Sequence, residues 1–131
     1  MNWHNLDINE VYLIHERIIK KAKTKASVRD FSLLHSAVER QKATFEGQDL
    51  YPTIFLKAGA LLQSICLNHA FSDGNKRTAW IATIRFLWIN GYHLKAEIKE
   101  GADFMLWVDN THPTLKEISK WLKLHSKKIN L

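Results

Sequence analysis

Residues 69–78 read His-Ala-Phe-Ser-Asp-Gly-Asn-Lys-Arg-Thr, and apolar residues at helical spacing stand on both sides of this stretch. After it, residues 75–90 are apolar nearly all round, which is typical of a helix in the middle of a bundle. Before it, one helical stripe over about residues 54–68 is formed by Ile54, Ala58, Leu61, Leu62 and Ile65. The stretch is therefore predicted to be a loop between two core helices.

The remainder of the chain also reads as helices. Asp30 can cap the second helix, and Thr114 with Glu117 forms a capping box that starts the last one. Apolar spacing predicts four further helices, over residues 9–23, about 31–43, about 97–109 and about 115–127. The inward stripes of the first and fifth helices are predicted to be Val11, Ile14, Ile18 and Ala22, and Ile98, Ala102, Met105 and Val108.

The connections between these helices carry turn signals. Residues 44–50 lack a helical stripe and contain Gly47, so they are expected to form a loop or a short β-hairpin. Pro52 suits the first turn of the third helix. Residues 92–94 are expected to be briefly extended after the stop at Gly91.

The fold class follows from these elements. We expect an all-α protein: a single compact helical bundle of about six helices with a short β-hairpin, in one domain over residues 1–131. No apolar run approaches the ~18 residues of a membrane span, and no secretion signal is recognised at the N-terminus. Cys66 is the only cysteine, so no internal disulfide can form. These features predict a cytoplasmic protein.

The net charge is +6, from 19 Lys and Arg against 13 Asp and Glu. Such a charge attracts nucleotides and polyanions, although a solvated lysine surface is the simpler interpretation. The basic residues form two clusters, Lys20, Lys21, Lys23 and Lys25, and Lys116, Lys120, Lys123, Lys127 and Lys128. Neither cluster is interleaved with aromatic residues, so no direct nucleic-acid binding is expected.

The stretch at 69–78 has the composition of a phosphate site at a helix N-terminus. The first N–H groups of the following helix have no partner within it, and its dipole places positive charge there. Gly74 allows close approach, Asn75 adds an amide donor, and Lys76 and Arg77 add two charges. Cations oppose the dipole at this end, so two of them suggest a bound anion, although solvated charges are the alternative.

Three other residues of the stretch complete a candidate site. Asp73 can hold Mg²⁺ together with phosphate oxygens and water, or it can merely cap the next helix. His69 can act as a general base on a hydroxyl, or it can serve as a C-cap partner. Phe71 is expected to be buried and to anchor the loop.

The order His-x-Phe-x-Asp-Gly-Asn-Lys-Arg resembles the signature of the Fic/Doc family. The Lys after Asn is similar to the death-on-curing (Doc) branch, the toxins of bacterial toxin–antitoxin pairs. The resemblance extends to residues 30–40, the loop at 44–51, the third helix and the Asn90-Gly91 helix end. It implies the small all-helical Fic fold.

The resemblance implies roles for several residues. His69 would be the general base, Asp73 would hold Mg²⁺, and the phosphates of ATP would be gripped by Gly74, Asn75 and Arg77. A target-docking flap would be formed by Phe45, Glu46, Gly47, Gln48 and Asp49, which would clamp the target segment as an added strand.

Two positions differ from the branch that transfers AMP. Lys76 stands where that branch has a second Gly, and Trp80 stands where it has a second Arg. The resemblance therefore implies a protein kinase that transfers the γ-phosphate of ATP to elongation factor Tu. An adenylyl transferase on the same scaffold, or a binding module without catalysis, stays open.

The resemblance also implies a partner, a Phd-like antitoxin whose C-terminal segment lies in an apolar groove of the toxin. Candidates for exposed aromatic residues of such a groove are Trp3, Phe104, Trp107 and Trp121. The alternative, which we favour, is that these residues fill the core. No His-Glu-x-x-His motif and no P-loop motif is present.

Overall fold

The computed structural model describes residues 3–24 and 27–130. Lys25 of the first lysine cluster lies outside these residues, and a single domain over 1–131 stays a prediction. The elements in chain order are α1 Ile8–Ala22, α2 Phe31–Glu39, a 3₁₀ turn Arg40–Lys42, β1 Thr44–Phe45, β2 Gln48–Asp49, α3 Ile54–Leu67, α4 Asn75–Ile89, β3 Tyr92–Leu94, α5 Ile98–Thr111, α6 Leu115–Leu124 and β4 Ser126–Lys128.

The all-α fold is confirmed. The described part of the chain contains six α-helices. Its strands form only two short antiparallel ribbons, β1–β2 and β3–β4. The expected hairpin within residues 44–50 is the first of these ribbons. None of the helices in the described ranges combines the length and hydropathy needed to cross a membrane.

Helix α3 is the centre of the core. It packs against α2, α4 and α6, and all five apolar residues of its predicted stripe are buried. The side chain of Thr53 caps its N-terminus and accepts a hydrogen bond from the Leu56 N–H at 3.2 Å. Pro52 therefore lies just outside the helix rather than in its first turn, so that detail of the prediction is wrong.

Helix α4 packs against α1, α3 and α5, yet it is not buried all round. Ile81 and Trp88 are 39% and 50% exposed, and on this side only the edge-to-face contact of Trp88 with His93 of β3 is seen between aromatic rings of the described structure. Its other side, with Ala79, Ala82 and Phe86, is fully buried. The bundle therefore has α3, not α4, in its middle.

The inward faces of α1 and α5 differ from the predicted stripes. On α1, Val11 is buried as expected, but His15 and Ile19 take the next core positions and Ala22 is exposed. On α5, Ile98 is 94% exposed and Ala102 is also exposed. A stripe drawn through the apolar residues alone therefore predicts the wrong core face for each helix. Part of the true core face is formed by His15 on α1 and by Gly101 on α5.

Gly101 explains why the core face of α5 differs from the predicted stripe. A Cβ at this position would lie 2.7 Å from Cζ2 of Trp80 on α4, which is too close. The absence of a side chain lets the indole lie against the backbone of α5. Gly101 therefore faces the core, together with Phe104, Met105 and Val108.

The end of the chain corrects one further prediction. Helix α6 begins with the expected capping box of Thr114 and Glu117, but it ends at Leu124 rather than near residue 127. Ser126–Lys128 then pairs with the strand Tyr92–Leu94 in antiparallel register. Backbone pairing with β3 satisfies these residues in place of another helical turn.

Candidate active site

A cleft of about 860 Å³ brings six of the predicted site residues together. His69, Asp73 and Gly74 from the motif loop (residues 69–74) line it with Asn75, Lys76 and Arg77 from the start of α4. Its apolar walls come from α1, α4 and α5, with Ile18, Ile19, Ala22, Ile84, Ile98, Ala102 and Leu106 among them. The apolar residues that the stripes of α1 and α5 misplaced are thus part of the cleft.

The N-terminus of α4 is open. Its N-cap, Gly74, has φ +81°, and no side chain of the described residues caps the helix. The first main-chain bond of the helix runs from the Thr78 N–H to the Gly74 carbonyl at 3.0 Å. The N–H groups of residues 75–77 precede that bond and are left to solvent or a ligand. An anion in the cleft would meet them and the positive end of the helix dipole.

Asp73 does not cap α4. Its Oδ1 accepts a hydrogen bond from the Gly74 N–H at 2.8 Å, one residue before the helix, and its side chain is exposed. It is the only carboxylate within residues 69–78. Among the described residues no group of three or more His, Cys, Asp or Glu could hold a metal by itself. One carboxylate beside open N–H groups fits Mg²⁺ that arrives with phosphate oxygens and water.

The two cations at the start of α4 differ in their surroundings. Lys76 Nζ lies 3.2 Å from Asp109 Oδ2 on α5, so its charge is partly balanced. Arg77 is exposed and pairs with no carboxylate among the residues that the structure describes. Arg77 is therefore the cation of this cleft with the most charge to offer an anion.

The Asn75 side chain braces the loop. Its Oδ1 accepts from the Phe71 N–H at 3.1 Å, and its Nδ2 donates to the Phe71 carbonyl at 3.0 Å. Phe71 itself is 1% exposed, so it is the buried anchor that the sequence predicted. The group that Asn75 presents to the cleft is its main-chain N–H, while its amide holds the loop closed.

His69 occupies a left-handed position immediately after α3. Its φ is +51°, and its side chain is exposed and lines the cleft. The helix end is closed by the Asn68 N–H, which donates to the Ser64 carbonyl. Such a backbone conformation costs energy in a residue other than glycine, and here it turns the chain out of α3 towards the cleft. An exposed imidazole beside the open helix end is suited to accept a proton.

His15 is a residue of this region that sequence reasoning missed. It is 1% exposed, its Nε2 lies 2.7 Å from the Asp73 carbonyl oxygen, and its ring stacks on Phe71. A histidine at a core position of α1 was the available signal, because buried polar groups need a partner. The partner, however, is 58 positions away along the chain.

The hairpin at residues 44–49 carries the predicted flap. Phe45 is 69% exposed, and the turn residues Glu46 and Gly47 have φ of +51° and +78°. Positive φ at both central residues matches the turn type that tight hairpins favour. None of these residues belongs to the cleft lining in the described structure. At its base, Lys57 Nζ lies 3.7 Å from Asp49 Oδ2.

The four aromatic groove candidates are mostly core residues. Phe104 is 3% exposed and stacks on Trp121, with ring centroids 3.8 Å apart. Trp3, Trp107 and Trp121 are half-buried and pack against the core. The groove interpretation of Phe104 is therefore wrong, and the apolar lining of the cleft is mainly aliphatic, with the half-buried Trp80 beside it.

Two comparisons with known proteins agree with this geometry. The sequence model of the Fic/DOC family matches residues 5–87, which hold α1 to most of α4 and the whole motif loop. A curated relative, "Toxin Doc" of Mycolicibacterium smegmatis (strain ATCC 700084 / mc(2)155), is 57% identical over 70 residues. The match covers 53% of this chain and 54% of that protein, so the chain spans about half the length of its relative.

Proposed function

The chain belongs to the Fic/DOC family, and on that basis we propose that it is the toxin of a toxin–antitoxin pair, which transfers phosphate from ATP to a protein hydroxyl. The observation that carries the proposal is the shared cleft. It is lined by the N-terminus of α4, the guanidinium of Arg77, the carboxylate of Asp73 and the imidazole of His69, and among the described residues no side chain caps that N-terminus and no carboxylate pairs with Arg77. A helical scaffold without catalysis has no need of this combination.

The residues of the cleft have separate roles in the transfer. The N–H groups at the start of α4 and the guanidinium of Arg77 bind and orient the phosphates of ATP. Asp73 holds Mg²⁺, which would screen the charge of the polyphosphate when bound. His69 takes the proton from the target hydroxyl as that oxygen attacks, a role worth about 10²–10⁴ in rate.

Two contacts support phosphoryl transfer over adenylyl transfer. Lys76 adds a side chain at the open end of α4 and is held by Asp109 at 3.2 Å. Trp80 fills the position of the second arginine of the AMP-transferring branch and lies against Gly101. The cleft lining therefore holds one arginine, Arg77, where an AMP-transferring site would have two, which favours transfer of the terminal phosphate.

We place the protein target on the hairpin. Residues 44–49 are exposed and form two strands joined by a tight turn at Glu46 and Gly47, so their outer edge can accept an extended target segment as an added strand. Elongation factor Tu is the target that we propose, in the cytoplasm. The two lysine clusters are assigned no nucleic-acid partner.

We place a Phd-like antitoxin in the apolar part of the cleft. Ile98 and Leu106 of α5 are 94% and 46% exposed, and they face the cleft with Ile18 and Ala22 of α1. An amphipathic segment of a partner would bury these aliphatic side chains. Because the same cleft holds the open end of α4, the bound segment would also cover the catalytic residues.

The test is a transfer assay with the purified full-length chain, Mg²⁺, elongation factor Tu and ATP labelled at either the γ- or the α-phosphate. We expect label from the γ-position only, and much less of it with Arg77→Ala. Label from the α-position would establish the adenylyl transferase instead. No label from either, with tight salt-dependent binding to duplex DNA, would favour the binding module.

A further inference from the structure

His15, in the middle of α1, contacts the motif loop at two points. Its side chain is 1% exposed, and its Nε2 lies 2.7 Å from the main-chain carbonyl oxygen of Asp73. Its ring also stacks on Phe71, with centroids 3.6 Å apart and planes 7° from parallel. One imidazole thus holds the loop by its edge at Asp73 and by its face at Phe71.

The first contact fixes where the ring carries its hydrogen. A carbonyl oxygen can only accept, so Nε2 must carry a hydrogen and donate it. In the neutral ring Nδ1 then has none, and Nδ1 is buried with no hydrogen-bond partner among the described residues.

Packing alone does not explain a histidine here. A buried nitrogen without a partner costs stability, and a phenylalanine would keep the stacking without that cost. The one thing that phenylalanine could not do is donate to the Asp73 carbonyl. The Nε2–H is therefore the property that this position requires.

The donor acts on the peptide that leads into α4. Asp73 is held at its carbonyl by His15 and at Oδ1 by the Gly74 N–H at 2.8 Å. The next residue fits closely against α1, since a Cβ on Gly74 would lie 3.2 Å from Ile19 Cδ1 and 3.5 Å from His15 Cδ2. Helix α1 thus braces both Asp73 and the N-cap of α4.

We propose that His15 is a positioning residue, whose Nε2–H holds the Asp73 peptide so that the carboxylate and the open N–H groups of α4 serve one ligand, a divalent cation with a nucleoside triphosphate. This ligand rests on the proposed function. The hydrogen bond and its effect on the loop do not depend on it, and they can be tested separately.

Three variants of the full-length chain separate the donor from packing. His15→Phe keeps the ring and removes the donor, whereas His15→Gln restores an N–H donor near the same place. Val11→Ala, one turn earlier on α1 at a fully buried position, is the control for loss of stability. The readouts are calorimetric binding of Mg²⁺ with a non-hydrolysable ATP analogue, amide hydrogen exchange at residues 72–74, and the melting temperature.

We expect His15→Phe to weaken binding of the analogue about tenfold and to speed exchange at residues 72–74. His15→Gln should recover most of both effects. Val11→Ala should lower the melting temperature and change neither. If His15→Phe does not fold, His15→Gln against His15→Met makes the same comparison, because these side chains are similar in length and only Gln carries a donor.

Two outcomes would overturn the positioning role. One is binding and exchange in His15→Phe equal to those of the wild type. The other is a His15→Gln variant no better than His15→Phe. If the wild type itself fails to bind the analogue, the proposed function is wrong, and the exchange rates at residues 72–74 still decide the role of His15.

Discussion

The motif loop at residues 69–74 and the hairpin at residues 44–49 flank the two ends of α3, yet they are held in opposite ways. The motif loop is braced from several sides. The N–H groups of Arg29 and Asp30 donate to the Ala70 carbonyl at 2.8 and 3.1 Å, and Ser72 bonds to Ser27. The side chains of Asn75 and His15 add bonds from α4 and α1.

The hairpin is held mainly by the main-chain pairing between β1 and β2. Residues 44–50 are all exposed, and the N–H of Leu50 donates to the Ala43 carbonyl at 2.9 Å to close the base. The difference matches what each segment would do. Groups that stabilise a transition state work best when they are fixed beforehand, whereas an edge that accepts a partner strand must leave main-chain groups free.

The strongest test of this contrast removes the proposed base. His69→Asn keeps a residue that tolerates positive φ but cannot take a proton near pH 7. We expect kcat for transfer to fall about 10²–10⁴-fold with the melting temperature and ATP binding unchanged. Phe45→Ala in the hairpin should instead raise KM for the protein target.

The control for that experiment is a second histidine in the same setting. His112 follows α5, has φ +47° and is exposed, but it does not line the cleft. His112→Asn should leave transfer unchanged. Equal effects of the two substitutions would mean that His69 serves only to end its helix.

Thiol labelling compares the accessibility of the hairpin with that of the end of α3 next to the motif loop. Cys66, just before the motif loop, is fully buried, and burial raises the pKa of its thiol to about 11. At pH 8 it is therefore protonated as well as shielded. In Phe45→Cys, we expect the new thiol to react with a disulfide reagent at least about a hundredfold faster than Cys66. One fast and one slow phase should appear, and similar rates would contradict the contrast.

A smaller effect is expected from the brace at Asn75. Asn75→Ala removes both side-chain hydrogen bonds to Phe71. The partly buried main-chain N–H and carbonyl of Phe71 then lose these partners. The free energy of unfolding, measured with urea, should fall by about 1–3 kcal/mol. Gln48→Ala in the exposed hairpin should change it by less than about 0.5 kcal/mol. Equal losses would show that the two segments are equally important to stability.

The smallest effect concerns the base of the hairpin. Lys57 is 4% exposed, and its Nζ donates to the Gln41 carbonyl at 3.0 Å beside Asp49. Lys57→Met should raise KM for the protein target about two- to fivefold and leave ATP binding unchanged. Lys42→Met, which removes only an exposed pair with Glu39, is the matched control. A change in ATP binding would contradict the separation of the two regions.

The sequence predicted the parts of the molecule that depend on local signals. The motif loop, the hairpin and the capping box of α6 follow from glycine, turn residues and short-range side-chain bonds. It failed where the partner is distant in sequence. The core face of α5 depends on Trp80, the strand at 126–128 depends on β3, and the role of His15 depends on Asp73. An amide such as Asn75 suggested a ligand contact, but residue type alone could not show that its side chain bonds to Phe71.

The contact between Trp80 and Gly101 restricts which sequences this fold can explore. Because a methyl group at 101 would collide with the indole, residue 101 cannot gain a side chain while Trp80 keeps its position. Arginine in place of Trp80 would remove the indole and free position 101, whereas alanine at 101 would first have to displace the indole. An evolutionary path from this cleft to one with two arginines therefore has a preferred order, with residue 80 changing before residue 101.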